Sequence, residues 1–167
     1  TASIGISQYP EDGLNFDALF RHAGLAVGQC KVSGRNRSLR FNPALELRAQ
    51  EDLSLEQDLR RALNENLLSV HYQPIVDGRS GRPVSLEALV RWQHPQQGFI
   101  SPERFVGLAE QHGFVAELDT WVARRACADL VGLLEEGHDL RMAVNCSALN
   151  LSNPQMPAVV ARILEDR

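Results

Sequence analysis

Val84-Ser85-Leu86-Glu87-Ala88-Leu89-Val90-Arg91-Trp92 is the stretch on which the reading of the whole chain turns. Its aliphatic and β-branched residues predict a strand. Side chains alternate along a strand, so Val84, Leu86, Ala88, Val90 and Trp92 share one face. Ser85, Glu87, Leu89 and Arg91 share the other. An acid and a guanidinium therefore stand on one face with Leu89 between them. A surface ion pair is the ordinary reading of such a pair. Here both faces are largely apolar, which points to burial on both sides. A buried Glu and Arg need partners, which can be each other, a metal or a ligand.

Working outward, residues 69–76 predict a second strand, joined to the first by Asp77-Gly78-Arg79-Ser80-Gly81. So short a connection allows only an antiparallel pair. Downstream, Ser101-Pro102 opens a helix that Gly113 stops. A longer helix follows over about residues 117–136, ended by Gly137. Residues 140–145 predict a strand, and a last helix over 158–166 follows Pro154 and Pro157. The order β-β-α-α-β-α indicates an α/β fold with a mainly parallel sheet and helices outside. Trp92 and Trp121 are read as core, and His94 as a structural loop residue beyond the strand.

Upstream, the pattern changes. A strand over residues 2–7 leads through Tyr9-Pro10-Glu11-Asp12-Gly13 to a helix over 15–32. Phe16, Leu19, Phe20, Ala23 and Ala26 recur on its apolar face, and Gly34 would cap it. A short strand over 39–41 precedes Asn42-Pro43, a break that marks a domain boundary. Ser54 with Gln57 forms a capping box for a helix carrying Leu55, Leu59, Leu63 and Leu67. Residues 44–52 are either a separate helical linker or the start of that helix.

The formal net charge is -4, which disfavours a duplex nucleic-acid binder while leaving room for a small anionic ligand. Cys30, Cys127 and Cys146 have no zinc or disulfide spacing and fit buried thiols in a reducing, cytoplasmic setting. No run is long enough to span a membrane. Any membrane anchor is expected only in segments of a longer parent outside this chain.

Several motifs carry a family resemblance. Tyr72-Gln73-Pro74-Ile75-Val76, Glu87-Ala88-Leu89-Val90-Arg91-Trp92, His94-Pro95 with Gly98, and Ser101-Pro102-Glu103-Arg104-Phe105 follow in order. Ala109-Glu110, Trp121-Val122 and Val144-Asn145-Cys146-Ser147-Ala148 continue the series. Together they resemble the EAL domain, over about residues 54–167. The resemblance implies a partial TIM-like (β/α) barrel whose first strand is antiparallel. It implies hydrolysis of cyclic di-GMP to pGpG by water activated at a two-metal site of Mg2+ or Mn2+. Carried over by position, Glu87 and Asn145 resemble metal ligands. Arg91 resembles the residue pairing with a ligand phosphate, Leu89 and Val90 would line the guanine pocket, and Gln73 would lie near the same mouth. Taken alone, Asn145 would be a strand-end turn residue and Gln73 a polar side chain before a proline. A homodimer through EAL domains is the partner implied, besides cyclic di-GMP itself.

The family's later acids and its lysine lie beyond this chain, so the fragment is expected to hold an incomplete site and to be inactive, with the activity residing in the complete parent. A TIM barrel takes about 250 residues, so this chain holds roughly half of one. Such a half leaves an open sheet edge. The isolated segment is expected to fold poorly or to oligomerise. Residues 1–42, with Ser3-Ile4-Gly5-Ile6 and Gly34-Arg35-Asn36-Arg37, resemble the α+β end of a GGDEF domain. Residues 43–53 would then be a linker. Gly24 and Gly28 stand where that family carries Asp and Tyr, which marks this GGDEF half as degenerate. The competing reading is a catalytically inactive cyclic di-GMP receptor or scaffold of GGDEF–EAL type.

Overall fold

The computed structural model describes residues 1–165. It forms two compact units, Thr1–Leu55 and Glu56 onward. Asp166, which the sequence assigns to the last helix, lies outside the described residues.

In the first unit, β1 (Ser3–Ile6) and β2 (Arg37–Arg40) pair in parallel, from Ser3 opposite Arg37 to Ile6 opposite Arg40. They are joined through α1 (Phe16–Val32), whose Asn15 cap accepts from the Ala18 amide. The helix lies so close to β1 that a Cβ on Gly5 would come within 2.1 Å of the Ala23 carbonyl oxygen. Glycine is required there by space. Gly34 follows the helix with φ 98°, as its cap reading requires. The expected apolar stripe is only partly correct. Ala26 and Cys30 are buried, whereas Phe16 and Phe20 are 74% and 70% exposed and stack on one another. Helical period identifies a face but cannot say how far round the helix its partner reaches.

Gly24 and Gly28 face open space. Gly24→Ala therefore removes backbone freedom from the unfolded chain without a clash, and should stabilise this unit by about 1 kcal/mol. Urea unfolding followed by circular dichroism would measure it. A lower midpoint for the variant would sink the expectation.

One helix, α2 (Pro43–Asn64), runs unbroken across the boundary between the units. Ser54 and Gln57 are thus interior helix residues, and the capping box expected of them does not form. Residues 44–53 are rich in Ala, Leu, Glu, Arg and Gln, all strong helix formers, so the helix has no reason to restart at Ser54.

The second unit opens with an antiparallel hairpin, β3 (Ser69–Val76) and β4 (Pro83–His94), as the short connection demands. The Asp77 carboxylate organises its turn by accepting from the Arg79 and Ser80 amides and the Ser80 hydroxyl. A strand not foreseen, β5 (Gly98–Ile100), folds back on the end of β4. Then come α3 (Pro102–Gln111), α4 (Val115–Glu135), β6 (Arg141–Val144), the unforeseen four-residue α5 (Ala148–Leu151), and α6 (Met156–Glu165). Ser101 precedes α3 with extended backbone but makes no side-chain cap bond.

Among the described strands of this unit, only β4 and β6 pair in parallel; β4 is antiparallel to both β3 and β5. The mainly parallel sheet expected from element order is corrected accordingly, because the hairpin and β5 supply two antiparallel edges. The four strands form an open sheet, and barrel closure is not seen among the described residues.

The core lies on the Ala88–Trp92 face of β4. Trp92 is 2% exposed and meets the Phe105 ring edge-on at 5.8 Å, while Phe105, Phe114 and Leu118 are all but fully buried. The Tyr72 hydroxyl donates to Asp129 of α4 at 2.6 Å. Burial, then that carboxylate, push the Tyr72 phenol above its ordinary value. Trp121 is half-buried, its indole donating to Asn66, so it belongs to the core margin. No helix among the described residues is long and apolar enough to cross a membrane.

Candidate active site

Glu87 sits mid-strand on β4 with a strand on either side. Gln73 of β3 stands directly opposite it, and Ala143 of β6 pairs with it on the other edge. Residues opposed across neighbouring strands share a face, so all three look the same way. Asn145 follows two positions after Ala143, just past the end of β6. Because β6 is parallel to β4, its carboxyl end reaches the same end of the sheet as the signature strand's. The Asn145 amide nitrogen donates to Glu87 Oε1 at 2.8 Å. A contact spanning 58 residues of sequence thus joins the two residues that the motif reading placed together.

Arg91 is half-buried and gives its guanidinium to the Val90 carbonyl at 2.9 Å. Glu87 and Arg91 share a face as expected, but the partner of Glu87 is the Asn145 amide rather than Arg91. Register explains why Arg91 borders a hollow. Pairing of β4 with β6 stops at Ala88–Val144, so among the described residues Leu89 to Arg91 have no β6 partner on that edge. Leu89, Val90 and Arg91 line a cavity of about 290 Å³ at that edge, together with Glu110, Asp119 and Asn145. Val90 and Leu89 both reach it although they point to opposite faces, because the hollow lies at the edge. Gln73 stands across from Glu87 but is not among the cavity's lining residues.

Sequence reading missed Asp119. Its Oδ2 accepts from the Ser147 amide and hydroxyl at 3.0 Å each, from the Asn150 side chain at 3.1 Å, and from the Cys146 thiol at 3.7 Å. Asn150 is buried, and Ser147 caps α5 by accepting the Asn150 amide. The turn that presents Asn145 is therefore tied to α4. Burial, then the charge of Asp119, push the Cys146 thiol up. A serine followed three residues later by asparagine hinted at the cap; nothing local pointed to the acid on a distant helix.

His94 is the last residue of β4 and is 4% exposed, so it belongs to the strand rather than to the loop beyond it. Its role is structural as expected. Nδ1 accepts the Gln96 and Gln97 amides, which leaves the proton on Nε2 to donate to Asp58 at 3.1 Å.

The donor chemistry at Glu87 and Asn145 suits a hard divalent cation. A carboxylate and an amide oxygen are its preferred ligands, and the bond between them leaves Glu87 Oε2 and Asn145 Oδ1 uncommitted. No group of three or more His, Cys, Asp or Glu that could hold a metal is gathered among the described residues.

A family model described as EAL domain matches residues 56–167. The chain is 48% identical over 166 residues to the cyclic di-GMP phosphodiesterase NbdA of Pseudomonas aeruginosa, a match covering 99% of this chain and 21% of that protein. It is 42% identical over 154 residues to the bifunctional diguanylate cyclase/cyclic di-GMP phosphodiesterase MucR of the same organism, covering 92% and 22%. Among solved structures, the PaMucR phosphodiesterase in complex with c-di-GMP superposes with a TM-score of 0.65 at 39% identity, covering 68% of this chain and 46% of that one. The chain spans about a fifth of the length of these curated relatives.

Proposed function

Given that the chain belongs to the EAL domain family, we propose that it is the site-bearing first half of a cyclic di-GMP phosphodiesterase domain within a longer protein. The observation that carries this reading is the 2.8 Å bond between Asn145 and Glu87 at neighbouring parallel strands, with Arg91 four residues further along the same face of β4. Glu87 and Asn145 would hold one edge of a Mg2+ or Mn2+ site. When bound, two such ions would lower the pKa of a water and stabilise charge on the phosphoryl oxygens. Arg91 would pair with a phosphate oxygen of the ligand, for which a planar guanidinium is suited. Leu89 and Val90 would supply apolar area for a guanine, and Gln73 would contact the ligand from across the hairpin. The names of NbdA and MucR, both called cyclic di-GMP phosphodiesterases, support the substrate.

In the same proposal, residues 1–42 are the end of a degenerate GGDEF domain, 43–53 a linker, and 54–167 the first half of the EAL barrel. The MucR match extends over 92% of this chain and that protein is called a diguanylate cyclase as well, which supports a tandem arrangement. A homodimer through complete EAL domains is part of the proposal.

The competing reading is a receptor that binds cyclic di-GMP without cleaving it. Chromatography of nucleotides after incubation with Mg2+ separates the two. The complete protein should release pGpG, whereas this chain alone should release none above the buffer blank. Intact cyclic di-GMP after prolonged incubation with the complete protein, alongside measurable binding, would turn the choice to the receptor.

A further inference from the structure

The end of β4 that carries Arg91 is where the strand changes partners, from β3 up to Arg91 to β5 from Trp92 to His94. Glu87 is flanked by Gln73 and Ala143, whereas Arg91 stands opposite Ser69, the last pair of the β3 ladder, and beyond the β6 ladder, which ends at Ala88. A second hold on this end comes from the core face. Trp92 and His94 point to the core face, their rings edge-on at 5.3 Å. His94 spends both ring nitrogens, accepting the Gln96 and Gln97 amides at Nδ1 and donating from Nε2 to Asp58 of α2. Asp58 is one of several anchors on that stretch of helix. Glu56 meets His112 at 2.8 Å, and the Arg60 guanidinium lies 4.0 Å over the Phe114 ring. The helix segment is thus fixed against the α3–α4 turn, and Asp58 is aimed from it at the one side chain that closes the β4–β5 turn.

We infer that Asp58 is a positioning residue that acts through His94 on Arg91, so that α2 sets the ligand-binding end of the signature strand. A neutral imidazole with two acceptor duties on Nδ1 needs a fixed acceptor for Nε2–H to hold its tautomer and ring plane. Without that acceptor the ring is free to turn, the Gln96 and Gln97 amides lose their partner, and the strand end loosens three residues from Arg91. Glu87, held on both edges, stays in place.

The inference rests on the proposed hydrolysis, and the test separates the two. In the complete protein, Asp58→Ala should raise the KM for cyclic di-GMP about tenfold and leave kcat within about threefold, since binding groups move and the metal-side groups do not. Asp58→Asn, whose oxygen still accepts from Nε2–H, should restore most of the wild-type KM. Arg61→Ala removes the other partner of Asp58 and should leave KM unchanged. A simple loss of folded protein would lower kcat with KM constant, and that result, or wild-type KM in Asp58→Ala, overturns the inference. If the wild-type protein neither binds nor cleaves cyclic di-GMP, the functional reading fails by itself. Nitrogen-15 spectra then decide the positional claim: Asp58→Ala must shift the Arg91, Gln96 and Gln97 amides, and an unmoved Arg91 amide refutes it.

Discussion

Glu87→Gln in the complete protein should lower cyclic di-GMP turnover by about a thousandfold or more, while binding falls far less. The substitution keeps the shape of the side chain and its place opposite Gln73 and beside Ala143. It exchanges an anionic oxygen pair for one neutral oxygen and an NH2. A hard cation loses a charged ligand, and the amide of Asn145 loses the carboxylate it donates to. Arg91 and the cavity wall of Leu89 and Val90 are untouched, so a ligand held there as proposed would keep those contacts. Turnover measured by nucleotide chromatography at saturating cyclic di-GMP, with calorimetry for affinity, reads the split. Activity within tenfold of wild type would remove Glu87 from the metal site and leave it as a polar anchor for Asn145.

Phe105→Ala should be the most damaging change to the second unit, costing about 3–5 kcal/mol. The side chain has no exposed surface and lies edge-on to Trp92, the residue after Arg91. Truncation leaves a cavity at the junction of α3 and the signature strand, where neighbours held in β4 cannot collapse inward. Domains have only about 5–15 kcal/mol in hand, so the melting point of the complete domain should fall by about 6–20 °C. A calorimetric scan of the complete protein would show it in the transition assigned to this domain. A shift of a degree or two would mean that the Trp92–Phe105 contact does not hold the strand to its helix.

The alternation of Val84 to Trp92 was enough to place Glu87 and Arg91 on one face, and the short connection before it was enough to make the hairpin antiparallel. Both follow from local geometry that no distant residue can alter. The helix stops at Gly34, Gly113 and Gly137 were legible for the same reason: each has positive φ, which a side chain resists. Other readings failed where the answer depended on a partner. Phe16 and Phe20 lie on the helical stripe but face outward, because the strands of their unit cover only part of α1. Ser54 matches a cap but lies within a helix whose preceding residues also favour helix. The three-residue β5 is too short to show a period.

The sequence by itself determined which residues could take part in the chemistry: a carboxylate, a guanidinium and an amide, each set by its own strand. Only the tertiary structure decided which of them meet. The parallel pairing of β4 with β6 brings Asn145 to Glu87 across 58 residues, and Asp119 and Asp58 fix the turn and the strand end from two other helices. Periodicity encodes the face a residue occupies. It carries no information on the register between strands far apart in the chain, which is settled by packing of the whole unit.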